Sequence, residues 1–192
     1  MKTLLLTLLL AAPAEPAAPP TAAPAGAWDP AARLAAQREA MKPLAFMDGA
    51  WRGRAETDRH PEGFTHTERV GPLLDGTIRL VEGRSYDEKG GTRFNAFAVI
   101  SYDPARRAYM MHSHAMGFVG DFPLTVRPDG YSWTQPAGPG ASINYVATVS
   151  GDEWREVGER VAKGAAPQKV FEMRLKRIGR SPWPQDGAVG QR

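Results

Sequence analysis

Turn residues divide the chain from Gly49 to Ile178 into about ten short segments with no helical pattern between them. The breaks fall at His60-Pro61-Glu62-Gly63, Leu74-Asp75-Gly76, Lys89-Gly90-Gly91, Asp103-Pro104, Pro128-Asp129-Gly130, Pro136 to Gly140, Ser150-Gly151-Asp152 and Gly164 to Pro167. The strands predicted between them run Trp51–Thr57, Phe64–Val70, Thr77–Tyr86, Arg93–Tyr102, Ala108–Ala115, Phe122–Arg127, Tyr131–Gln135, Ser142–Val149, Glu153–Val161 and Val170–Ile178. So many short strands in sequence form a meander, and a meander this long removes its exposed edges by closing. The expected fold is therefore all-β: an antiparallel up-and-down barrel of about ten strands.

The N-terminal part has a different character. Lys2, then the apolar run Leu4 to Ala12, then small residues at Ala12 and Ala14, form an export signal pattern with an A-x-A cleavage site. The run is too short to span a bilayer. The expected address is periplasmic or secreted, with no stable membrane insertion after cleavage. The chain has no cysteine, so it carries no lipidated cysteine, and its core must hold without disulfides. Residues 1–14 read as the signal peptide and 15–28 as an Ala/Pro-rich linker. Residues 29–42 read as one short helix packed on the barrel. Asp29 caps it, Pro30 takes its first position, Leu34, Ala35 and Met41 form a narrow apolar stripe, and Pro43 ends it. The barrel occupies 43–178, and the polar residues 179–192 read as a disordered tail.

The net charge of +3 is small, and basic residues are interleaved with acidic ones. Nothing here makes the basic stripe that nucleic acid binding requires.

Alternation picks out candidate interior groups. In Ala108–Ala115 and the residues after it, Met110, His112, His114 and Met116 share one face, and Met111, Ser113 and Ala115 share the other. Methionine favours enclosure, so the face carrying both histidines is expected to point inward and line a cavity. In Thr77–Tyr86, Glu82 and Arg84 fall in line with Ile78 and Leu80. In Glu153–Val161, Trp154, Glu156 and Arg160 share a face. Charge among apolar residues implies a wet cavity or a solvated face, because an unpaired buried charge costs several kcal/mol, roughly. The candidate cavity lining is thus His112, His114, Glu82, Arg84, Trp133, Tyr145 and Glu156. Trp51 is expected to pack at the closed end.

Met47-Asp48-Gly49-Ala50-Trp51-Arg52-Gly53 resembles the Gly-x-Trp opening of calycin barrels. Gly76, Tyr102-Asp103-Pro104 with Tyr109, Met111-His112-Ser113-His114-Ala115-Met116-Gly117, Gly120-Asp121-Phe122, Trp154-Arg155-Glu156-Val157-Gly158 and Phe171-Glu172-Met173 follow it in order. The set resembles a bacterial family of secreted calycin-like, lipocalin-like barrels catalogued as a domain of unknown function. That resemblance implies the fold and brings no activity and no catalytic residues. Nitrobindin-type barrels resemble the chain more distantly. They hold haem through a histidine near the C-terminal end of the barrel, and this chain has no histidine after His114. No cofactor is expected.

Three functions remain open at this point. The first is a barrel that binds a small apolar or amphipathic ligand in its interior. The second is a metal-binding protein or metal-dependent enzyme centred on His112 and His114, with Glu82 or Glu156 as a further donor. The third is a solid barrel that acts as an interaction module. No Ser-His-Asp motif, nucleophile elbow, phosphate loop or dinucleotide fingerprint is legible, and no catalytic residue is assigned. The oligomeric state is not readable.

Overall fold

The computed structural model describes residues 29–180 and 182–187. The signal peptide and linker read from the sequence lie outside them. The turn signals become ten antiparallel strands: β1 Gly49–Thr57, β2 His60–Leu73, β3 Ile78–Tyr86, β4 Thr92–Asp103, β5 Ala108–Ala115, β6 Phe118–Arg127, β7 Gly130–Pro136, β8 Ala141–Ser150, β9 Glu153–Ala162 and β10 Gln168–Gly179. Each strand pairs with the next, and β10 returns to β1, so the sheet is a closed up-and-down barrel. All ten predicted strands are present in order.

Two connections illustrate how the local sequence sets the turns. Asp103 Oδ1 accepts the backbone N–H groups of Ala105 (2.9 Å) and Arg106 (3.3 Å), the aspartate turn expected there. His60-Pro61-Glu62-Gly63, by contrast, is not a turn but the start of β2. The strand tolerates Pro61 because the ladder is irregular between Ala55 and Thr57, and Gly63 takes a φ of +69°.

One end of the barrel is plugged. Helix α1, Pro30–Met41, is capped by Asp29, whose carboxylate accepts the Ala32 N–H at 3.0 Å. A 3₁₀ turn, Lys42–Met47, follows it. Met41, Leu44 and Met47 are fully buried among Trp51, Val70, Ile100 and Val149. The apolar stripe expected on α1 is narrower still: Met41 is buried, while Leu34 is 47% exposed. The helix is held by polar contacts instead. Gln37 donates to the Tyr102 carbonyl, Arg38 to that of Asp75, and the Tyr109 hydroxyl to that of Ala40.

Two arginines fasten the plug. Buried Arg79 pairs with Asp48 through Nε at 2.8 Å and also donates to the Met41 carbonyl. Arg177 lies 3.9 Å over the Trp51 ring and donates to the carbonyls of Phe46 and Asp48. A cation over indole contributes on the order of 1 kcal/mol. Trp51 therefore sits at the closed end, as expected, with its indole N–H on the Met47 carbonyl at 2.8 Å.

The tail is less free than its composition suggests. Arg69 lies 4.3 Å over the Trp183 ring, and the Trp183 carbonyl rests against Gly71, where any Cβ would collide with it. Among the described residues, no helix is long and apolar enough to cross a membrane.

Candidate functional site

The inward face of each strand follows from burial. On β5, Met111 and Ser113 are half-buried while His112 and His114 are exposed. The expectation that the histidine face points inward is therefore wrong. The two imidazoles stand 4.9 Å apart on the outer wall, and His112 Nδ1 meets Asp121 Oδ1 at 2.6 Å. The same error of parity holds for β3. Glu82 is bound on the outer wall between Arg69 and Arg84, with both Nε contacts at 3.0 Å. The inward residues of β3 are Arg79, Val81, Gly83 and Ser85. Glu82, Arg84 and His114 do come together, but in a shallow outer groove of about 420 Å³. Phe97, Met116, Phe118 and Val119 border that groove and are exposed. Among the described residues, no three metal-ligating side chains converge.

Trp133, Tyr145 and Glu156 are on the inward faces of β7, β8 and β9. Strand pairing sets Tyr145 beside Trp133 and, on its other side, Gly158. Trp133 and Tyr145 stack at 4.2 Å with an interplanar angle of 8°, and Phe122 and Phe171 extend the arc at 5.0 and 5.9 Å. Gly158 makes room for this arrangement, since a Cβ there would lie 2.7 Å from the Tyr145 ring. Burial, and then the charge of Glu156, push the Tyr145 hydroxyl up to about 12.

Glu156 lies beneath the arc. It accepts the Tyr131 hydroxyl on Oε2 at 2.7 Å and the Trp133 indole N–H on Oε1 at 3.1 Å. Burial nevertheless raises its pKa; the two donors and His66 pull it down, and the Glu68 charge adds to the rise. Burial and the same carboxylate push Tyr131 well above the ordinary phenol range.

Three residues that sequence reasoning missed complete the floor. Ser85 Oγ meets His66 Nδ1 at 2.7 Å, and His66 Nε2 meets Glu68 Oε1 at 2.9 Å. Glu68 as a carboxylate accepts from Nε2–H, which leaves Nδ1 facing the Ser85 hydroxyl. Ser85 and His66 are 5% and 3% exposed, whereas the Glu68 side chain keeps 12%. The serine is thus at the enclosed end of the relay, and Glu68 is its less buried end. Glu68 Oε2 is buried and has no hydrogen-bond partner within the described protein. A signal for this cluster existed: Phe64, His66, Glu68 and Val70 alternate along β2.

Small side chains continue the wall beside Glu68. The register runs Glu68 to Gly83, Gly83 to Ala96 and Ala96 to Ala115. A Cβ on Gly83 would lie 2.7 Å from Glu68 Oε1, so this glycine seats the carboxylate. In ring order, β3, β4 and β5 stand across the lumen from β8, β9 and β10. The wall of small side chains therefore opposes the Tyr145 and Phe171 end of the aromatic arc. At the mouth a pocket of about 400 Å³ opens between His60, Ile143, Tyr145, Arg160 and Phe171.

No family model matches this chain, and no curated protein matches it. Among solved structures, it is similar to that described as "Crystal Structure of Rv2717c from M. tuberculosis". The identity is 15% and the TM-score 0.49, over 73% of this chain and 96% of the other.

Proposed function

We propose that this chain is an exported binding barrel that holds a small apolar or amphipathic molecule in the upper lumen. One observation carries the reading: the inward wall joins the small residues Gly83, Ala96 and Ala115 to the arc of Phe122, Trp133, Tyr145 and Phe171, with Tyr145 and Phe171 across the ring from the small residues. A flat apolar body fits between such walls, and a few polar groups at one end fix its orientation. The half-buried state of Ser113 and Phe122 on the inward face supports access from the mouth. The basic, apolar and small-residue pattern at the N-terminus supports export. The resemblance to secreted calycin-like barrels accords with both.

The test is a titration with N-phenylnaphthylamine, a neutral fluorophore that brightens in apolar surroundings. Saturable binding at one site per chain is expected. Trp133→Ala should weaken it about ten-fold by removing a stacking face. If no saturable binding occurs, or Trp133→Ala leaves it unchanged, the reading fails.

A further inference from the structure

The floor of the lumen has a chemistry that the apolar walls do not explain. Two carboxyl groups, Glu68 and Glu156, lie close enough on the inward wall that the charge of Glu68 raises the cost of ionising Glu156. Glu156 has both oxygens occupied by fixed donors. Glu68 has one oxygen held by His66 and the other bare. A bare buried acceptor is expensive, about 1–3 kcal/mol and more for a charged group, and such groups in native proteins call for an explanation.

The neighbouring positions offer Glu68 Oε2 no cation of its own. Arg79 and Arg177 are at the closed end and are committed to the plug. Arg160 stands at the mouth pocket. Between these levels, the inward positions of the described strands carry no lysine or arginine. The side chain that does reach Glu68 is His66, and its ring is held between Glu68 and the Ser85 hydroxyl. The carboxylate is thus fixed in place by the relay and seated over Gly83, on the inward wall of the barrel that also carries the aromatic arc. Indole and phenol faces attract cations as well as apolar groups.

We propose that the lumen selects an organic cation: a ligand with a flat apolar body and a protonated primary or secondary amine, whose N–H is received by the Glu68 carboxylate once a small turn of that side chain uncovers its unpartnered oxygen. The inference rests on the binding reading above and specifies its ligand. The body lies against Trp133 and Tyr145 and the ammonium reaches the floor. An anionic ligand of the same shape meets two carboxylates and is rejected, because a like charge brought into a desolvated site is costly.

Three probes of one shape and different charge separate the outcomes: naphthylmethylamine, naphthylmethanol and naphthoate. They are titrated at neutral pH against the full chain, with intrinsic tryptophan fluorescence and calorimetry as readouts. Naphthylmethylamine should bind at least about ten-fold more tightly than naphthoate, the step expected for one charge-assisted hydrogen bond. Glu68→Gln keeps the acceptor for His66 and removes the charge. It should cost the amine about ten-fold and change naphthylmethanol by less than about two-fold. Equal binding of all three probes, or tighter binding of naphthoate, overturns the proposal and leaves the binding reading standing. Saturable binding of none of them overturns both. The wild-type ranking needs no variant, so a Glu68→Gln chain that fails to fold does not protect the proposal.

Discussion

Glu172 allows the electrostatics of this barrel to be measured at one residue. It is on the outer face of β10, yet is only 4% exposed, because three cations cover it. Lys169 Nζ is 2.7 Å away and also reaches Glu56 at 3.5 Å; the Nε atoms of Arg174 and Arg155 are both at 2.8 Å. The ammonium first, then the guanidinium groups, hold the carboxyl down from 4.5 to about 2. At 1.36 kcal/mol per pKa unit that fall corresponds to roughly 3.4 kcal/mol as an upper bound. The three partners are each more than half exposed. Water and salt screen them, and about 1.5–2 kcal/mol is a realistic contribution. Glu172→Gln removes the charge with little change of shape and leaves only solvated cations behind. Urea unfolding at pH 7 should show the variant less stable by that amount. The folded-state value lies below the unfolded one, so the contribution is complete above about pH 4.5. It is lost as the pH falls toward 2, and the difference between the two proteins should shrink across that window. A loss below about 0.5 kcal/mol at pH 7, or a difference that does not change with pH, would falsify the reasoning.

Two further outcomes follow from other parts of the barrel. Arg79→Met leaves the Met41 carbonyl and the Asp48 carboxylate without their donor; Asp48 is 30% exposed, so urea unfolding should register about 2–4 kcal/mol, and under about 1 would mean that the plug is held by packing alone. The double variant His112→Ala with His114→Ala, on the outer wall, should stay within about 0.5 kcal/mol of the parent and bind N-phenylnaphthylamine equally well; a weakened probe would return those residues to the binding site.

The ten strands were legible because turn chemistry is local. Asp103-Pro104, Lys89-Gly90-Gly91 and Pro128-Asp129-Gly130 fix chain reversals whatever lies around them. Which side faces in was harder to read. On β5 both faces carry methionine, so alternation separates the faces without ranking them. On β3 the outward face has Ile78 and Leu80, while the inward face has Arg79, Gly83 and Ser85. Hydrophobicity there points the wrong way, because Arg79 serves the plug and the small residues leave space for Glu68. The register across the β2–β3 turn was within reach. Pairing Leu73 with Ile78 around Asp75-Gly76 puts Ser85 beside His66 and Gly83 beside Glu68. Counting outward from that turn would have found the relay. The unpartnered state of Glu68 Oε2 was not readable, since it depends on atoms brought together from the whole ring.

The seam between β1 and β10 has a consequence for how the chain is made. Its first strand cannot find its second neighbour until the last strand has left the ribosome, more than a hundred residues later. Until then β1 and β9 each keep an open edge, and the plug beneath Trp51 lacks Arg177, its lid from β10. A partly synthesised chain is therefore a curled, sticky sheet, the kind of species that aggregates or is held by chaperones. Closure comes at the end and in one step, with folding slowed by the sequence distance it must span.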